Sequence, residues 1–229
     1  MTVVDELKQF GEGHARAQDI TPAEYQAICA RIDTDEGDAP GSWVHEWTVA
    51  AEPFEVAGRH LDACKYYNLA RLPYVDGAGK RAALDKCVAS FARWAAETTD
   101  IRPLTVDTPE GKIRCWTSGL EPGSRRPLLL ALGGIVSVKE QWAPLLTRLG
   151  KLGLAGVVTE MPGVGQNEQQ YTPQSWRMLS AILDAVAGQA DVDNTFAMAL
   201  SFSGHLALRC AANDERIRGI ATVDRKSVV

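Results

Sequence analysis

The feature that most constrains this chain is residues 195–213, Thr-Phe-Ala-Met-Ala-Leu-Ser-Phe-Ser-Gly-His-Leu-Ala-Leu-Arg-Cys-Ala-Ala-Asn. Thr195 to Leu200 is a run of small and apolar residues with the length of a buried strand, and Leu206, Ala207, Leu208 and Ala211 then recur at helical spacing. Ser201 occupies the junction. A strand that turns at once into a helix tolerates only small neighbours at the bend, and Ala199, Ser203 and Gly204 supply them. Small residues two before and two after Ser201 form the pattern of a nucleophile elbow, with Ala199 and Ser203 standing where glycine is usual. The spacing nominates Ser201 as a nucleophile. The same bend also occurs in doubly wound sheets where a serine only caps the helix, and that reading stays open at this point. Ser203 is the competing hydroxyl, but an imidazole two residues on, at His205, would crowd its bend, so Ser201 is preferred.

The residues before the elbow set its surroundings. Residues 1–98 carry no convincing strand and read as an all-helical module. Thr21-Pro22-Ala23-Glu24 opens one helix with a capping threonine and a first-turn proline, and a second opens near Ser42 with Trp43 and Trp47 on one face. Residues 54–71 read as one packed helix ended by Pro73, and residues 79–98 as another. Their aromatic residues are expected in the core. From Ile101 the pattern changes. Ile101–Thr108 and Lys112–Ser118 read as a hairpin around Pro109-Glu110-Gly111. Apolar runs at Leu128–Leu132, Leu154–Thr159, Phe196–Leu200 and Gly219–Val223 then alternate with helical segments near 138–151, 173–188 and 204–213, the second opened by Thr172-Pro173. The expected fold class is α/β: a mainly parallel sheet in residues 99–229 preceded by a helical module in residues 1–98.

Composition narrows the partners. With 45% hydrophobic and 23% charged residues and a net charge of −5, the chain has the make-up of an ordinary globular protein and no basic footprint for nucleic acid. No apolar run approaches a membrane span and the N-terminus lacks a signal pattern, which points to a cytoplasmic location without membrane partners. The five cysteines and four histidines show no ligand spacing, so neither a metal nor a cofactor is expected. A small-molecule substrate is the expected partner, with a homodimer left open.

In a parallel sheet, ligands bind beyond the carboxyl ends of the strands. The first loop there, Gly133-Gly134-Ile135-Val136-Ser137, places two glycines directly after a buried strand, where backbone N–H groups can turn towards a developing oxyanion. The expected donors are the N–H groups of Ile135 and of Phe202, with Gly134 giving the loop its close approach. The second loop, Glu160-Met161-Pro162-Gly163-Val164-Gly165, lacks phosphate-loop spacing and reads as a shaped border of the pocket. The absence of a dinucleotide fingerprint after any strand argues against a dehydrogenase.

Three segments, Leu132-Gly133-Gly134-Ile135-Val136-Ser137-Val138-Lys139-Glu140, Glu160-Met161-Pro162-Gly163-Val164-Gly165 and Ala199-Leu200-Ser201-Phe202-Ser203-Gly204, resemble the α/β-hydrolase superfamily. Within it, the helical module followed by such a core resembles the FrsA-like esterases and the 2,6-dihydroxypseudooxynicotine hydrolases. The resemblance implies a helical cap over the pocket and a serine hydrolase that cleaves an ester, or a carbon–carbon bond next to a ketone, through an acyl-enzyme at Ser201. The alternative is a non-catalytic binding protein of the same fold.

A serine hydroxyl needs a base, and in this superfamily the acid and histidine follow the nucleophile in the chain. No histidine follows His205, which is read as a structural or pocket residue, and Asp224 is a weak candidate for the acid. The chain is therefore expected to be a fragment, with the final few residues of the ending Asp224-Arg225-Lys226-Ser227-Val228-Val229 foreign to it. Two outcomes are expected. The genomic reading frame continues past this point, and the 229-residue chain hydrolyses p-nitrophenyl esters no faster than its Ser201→Ala variant. Serine-dependent turnover by the isolated chain would refute the second.

Overall fold

The computed structural model describes residues 2–223 and divides into two compact units, Met1–Thr98 and Thr99–Val229. Asp224 and the five residues after it lie outside the described residues.

The first unit contains five helices among its described residues: α1 (Val3–Arg16), α2 (Pro22–Cys29), α3 (Trp43–Val56), α4 (His60–Ala70) and α5 (Ala78–Thr98). Thr2 and Thr21 close reciprocal capping boxes with Asp5 and Glu24, and the Ser42 hydroxyl accepts from the His45 amide at the start of α3. Trp43 and Trp47 are fully buried, and the Trp43 indole donates to the Leu69 carbonyl at 2.7 Å. Gly11 makes room for them, since a Cβ there would stand 2.8 Å from the Trp43 ring. Residues 54–71 do not form the single helix expected. A Schellman turn ends α3: the Gly58 amide donates to Glu55 O, the Arg59 amide donates to Phe54 O, and Gly58 takes φ +70°.

The second unit is a six-stranded sheet in the order β1 (Arg102–Thr108), β2 (Gly111–Ser118), β4 (Ala155–Thr159), β3 (Pro127–Leu132), β5 (Asp191–Leu200), β6 (Ile217–Val223). The first two strands form the expected hairpin, and β2 runs antiparallel to β4. The pairs β3–β4, β3–β5 and β5–β6 are parallel. Leu128, Leu130 and Leu132 pack with Val157, Ala197 and Ala199, and with the Met178, Leu179, Ile182, Leu183 and Val186 stripe of α8 (Arg177–Val186).

Three expected boundaries move for physical reasons. The helix expected over 138–151 is broken into α6 (Lys139–Trp142), a 3₁₀ turn at Ala143–Leu145, α7 (Leu146–Leu149) and a second 3₁₀ turn at Gly150–Leu152. Pro144 lacks the N–H that would continue α6, and its ring collides with the carbonyl four residues back. Leu146 and Leu149 of α7 then sit directly over Gly156 of β4, where an added Cβ would lie 2.5 and 2.3 Å from them. Thr172-Pro173 does not start α8. The Thr172 hydroxyl accepts from the Gln174 amide, and the Thr172 amide donates to Ser175 Oγ, so the capping chemistry closes a tight turn and the helix begins at Arg177. The strands β5 and β6 begin earlier than their apolar runs, with a register shift at Thr195/Phe196 that leaves Arg218 unpaired between Ile217 and Gly219. No helix among the described residues is long and apolar enough to cross a membrane.

Candidate active site

Parallel pairing aligns four strand ends. Thr159 pairs with Leu132, Leu132 with Ala199, and Ala199 with Thr222, so the loops after β4, β3 and β5 leave the sheet at one level on one edge. The elbow follows β5 directly, and α9 (Ser203–Ala211) starts two residues after Ser201. Ser201 is exposed and takes φ +59°, one of two non-glycine residues described with positive φ. Left-handed backbone at a serine is strained, and here it lifts the hydroxyl off the strand end. The bend is held by the Gly204 amide donating to Ser201 O at 3.0 Å. Gly204 also lets α9 approach β6, because a Cβ there would stand 3.2 Å from Thr222 Cγ2.

The glycine loop lies against this serine. A Cβ on Gly134 would be 3.1 Å from Ser201 Cβ and 3.4 Å from Ser201 Oγ, so only glycine leaves the space open. Gly133 is equally restricted, with Ser137 Cβ at 2.5 Å and Trp142 Nε1 at 2.8 Å from the atom it lacks. The Ser137 amide donates to Gly134 O at 3.0 Å, which makes Ile135 and Val136 the centre of a turn. The structure thus brings Gly134 and Ser201 into contact, with Ile135 one residue beyond and Phe202 at the N-cap of α9, where first-turn amides lack intrahelical acceptors.

The two hydroxyls of the elbow separate cleanly. Ser203 is fully buried, and its Oγ lies 2.9 Å from Leu200 O and 3.3 Å from Leu132 O, tying the elbow to the end of β3. His205 is engaged by two other rings of the second unit. Its ring stacks on Phe202 at 5.8 Å, and its Nδ1 lies 3.2 Å from the Tyr171 hydroxyl. His14, His45 and His60 lie on α1, α3 and α4 of the first unit. A recess of about 780 Å³ between the β1–β2 turn and α8 includes none of Ser201, Gly134, Ile135 and Phe202.

The sequence reading passed over a buried charge cluster that joins two of these loops. Lys139, Glu140 and Glu160 are each at most 2% exposed. The Lys139 ammonium lies 2.9 Å from Glu140 Oε1, 3.2 Å from Glu160 Oε1 and 2.9 Å from Gln166 Oε1. Glu160 also accepts the Lys139 amide at 2.9 Å and the Gln166 amide at 2.7 Å, so one carboxylate caps α6 and closes its own loop. The Trp116 indole donates to Glu140 Oε1 at 2.9 Å. Gly165, at φ +58°, is obligatory because a Cβ would stand 2.3 Å from Glu160 Oε2. One signal was legible: a glutamate directly follows the strand Ala155–Thr159, in which every residue is buried.

No family model matches the chain. It is 25% identical over 225 residues to Esterase FrsA of Photobacterium profundum, covering 84% of this chain and 54% of that protein. Esterase FrsA of Vibrio cholerae matches at 24% over 204 residues, 77% of this chain and 49% of that protein. Among solved structures, AbyA5 wild type superposes with a TM-score of 0.91 at 49% identity, over 96% of this chain and 62% of that one. The chain has the α/β-hydrolase fold and is similar in sequence to the FrsA esterases. The 2,6-dihydroxy-pseudo-oxynicotine hydrolase shares the fold at a TM-score of 0.64 and 18% identity, over 90% of this chain and 62% of that one. The chain spans about half the length of the curated relatives it matches.

The buried charge cluster has a definite electrostatic sense. Burial works against the Lys139 ammonium, but the Glu140 and Glu160 carboxylates outweigh it and hold the proton above the ordinary lysine range. Burial raises the Glu160 carboxyl above the ordinary glutamate range, an effect that Lys139 offsets and Glu140 reinforces. A buried acid with a raised folded-state pKa costs stability as pH climbs through that value, and removing the ammonium enlarges the cost. Lys139→Met is therefore expected to destabilise the second unit by about 3–5 kcal/mol at pH 8, and by less at pH 5, where Glu160 can take up a proton. Urea denaturation at the two pH values checks both the size and the sign.

Proposed function

We propose that the protein is a serine hydrolase in which Ser201 attacks a carbonyl carbon and forms an acyl-enzyme. The observation that carries this reading is the strained, exposed Ser201 in contact with Gly134. A bend that merely caps a helix has no need of either the strain or the open space. The esterase and hydrolase names of the relatives support the same reaction class.

The hydroxyl oxygen adds to the carbonyl, and its proton passes to a base. The carbonyl oxygen becomes an oxyanion in the space kept clear by Gly134, beside the amides of Ile135 and Phe202. Collapse of the tetrahedral centre expels the leaving group, and water then releases the acyl group. An ester expels an alcohol by this route, and a ketone expels a stabilised carbanion. Both substrate classes belong to the proposal, with the ester favoured by the relatives named esterase.

The proposal is tested on protein expressed from the complete genomic reading frame. A fluorophosphonate should label Ser201 and nothing else in the elbow, and Ser201→Ala should abolish labelling while Ser203→Ala keeps Ser201 reactive. Gly134→Ala places a methyl group 3.1 Å from Ser201 Cβ and should slow labelling by about 10- to 100-fold. Labelling that survives Ser201→Ala sinks the assignment.

A further inference from the structure

Beside Ser201 the second unit leaves aromatic surface uncovered. Phe202 follows it in the chain, His205 stands one turn further along α9, and Tyr171 reaches in from the loop between β4 and α8. The Phe202 and His205 rings stack with centroids 5.8 Å apart at 29°, and Tyr171 packs on Phe202 at 5.8 Å and 49°. The 3.2 Å contact between the Tyr171 hydroxyl and His205 Nδ1 links the two segments. Phe202 and Tyr171 nevertheless remain 47% and 44% exposed, and Ile135, on the glycine loop, is 47% exposed.

Singly scattered exposed apolar residues are ordinary, but rings that are packed together from two segments and left open are a binding surface in waiting. Their position selects the occupant. The surface begins at the residue after the nucleophile, and its three rings carry no carboxylate, ammonium or guanidinium. A flat, uncharged group can lie against the Phe202 face with favourable offset stacking.

Resting on the reading of Ser201 as nucleophile, we propose that Phe202, Tyr171 and His205 form the specificity subsite for an uncharged, flat, conjugated group joined to the scissile carbonyl. The carbonyl carbon meets Ser201 Oγ while the conjugated group rests on the rings, so the subsite selects planarity rather than size.

The test uses two trifluoromethyl ketones of nearly equal bulk, one bearing phenyl and one bearing cyclohexyl, titrated against the full chain by ¹⁹F NMR. The phenyl ketone should bind about tenfold more tightly, and that ratio should fall to about unity in both Phe202→Ala and Tyr171→Leu. Tyr171 lies on a different segment from the elbow, so agreement between the two variants excludes a simple folding defect at α9. Equal affinities in the wild-type protein, or a ratio that survives both variants, overturn the proposal while leaving fluorophosphonate labelling of Ser201 to support the nucleophile. A preserved phenyl preference without labelling of Ser201 overturns the nucleophile reading, and with it the assignment of the flat group to a scissile carbonyl.

Discussion

Alignment of the parallel strand ends is the constraint on which the chemistry depends. Parallel ladders need long crossovers, so consecutive strands of this kind all point the same way, and their loops accumulate at one edge. In this chain the register places Thr159, Leu132, Ala199 and Thr222 level with one another. A slip of one residue in β3 against β5 would move Gly134 away from Ser201 and turn every leucine of β3 to the opposite face. The leucines therefore enforce the geometry of the site through burial, although none of them touches a substrate.

Alignment alone does not hold a loop still. The loop after β3 is held from below by Glu160, whose carboxylate takes the first amide of α6 and shares the Lys139 ammonium with Glu140. A buried ion pair is often no more stabilising than apolar residues of the same shape, so net stability is a poor explanation for it. Direction is a better one. A carboxylate accepting two amides and an ammonium has few alternative arrangements, and its partners lie at the start of α6 and on the loop after β4. Gly165 extends the same logic, since its missing side chain is what lets the Glu160 carboxylate turn back over its own loop.

How much of this was legible follows from the kind of signal involved. Buried strands advertise themselves as continuous apolar runs, and Leu128–Leu132, Phe196–Leu200 and the small residues around Ser201 were read from that pattern. Where the structure departs from the reading, a local rule was overridden by a competing one. Pro144 breaks a segment whose periodicity alone suggested one helix. Thr172 carries the right chemistry for a helix cap but spends its hydroxyl on a turn. The polar start of β5, Asp191 to Asn194, reads as loop, yet Asp191 is paired with Pro127 on β3. The charge cluster was hidden for a different reason. Lysine and glutamate in sequence normally mark a solvated face, and only the tertiary meeting of Glu160 with Lys139 reveals burial.

Choosing between the two serines of the elbow turns on what each hydroxyl already does. Ser203 has acceptors in Leu200 O and Leu132 O and no exposure, so freeing it to attack would break a structural tie and leave buried carbonyls short of a donor. Ser201 is in the opposite state. Its backbone is held in a conformation that costs about 1–3 kcal/mol for a residue with a side chain, and folding recovers nothing from its exposed hydroxyl. Strain of that size persists only where the surroundings over-determine it, and here they do: Gly204 draws α9 onto β6, Ser203 anchors the turn, and Gly134 leaves room beside the Ser201 side chain.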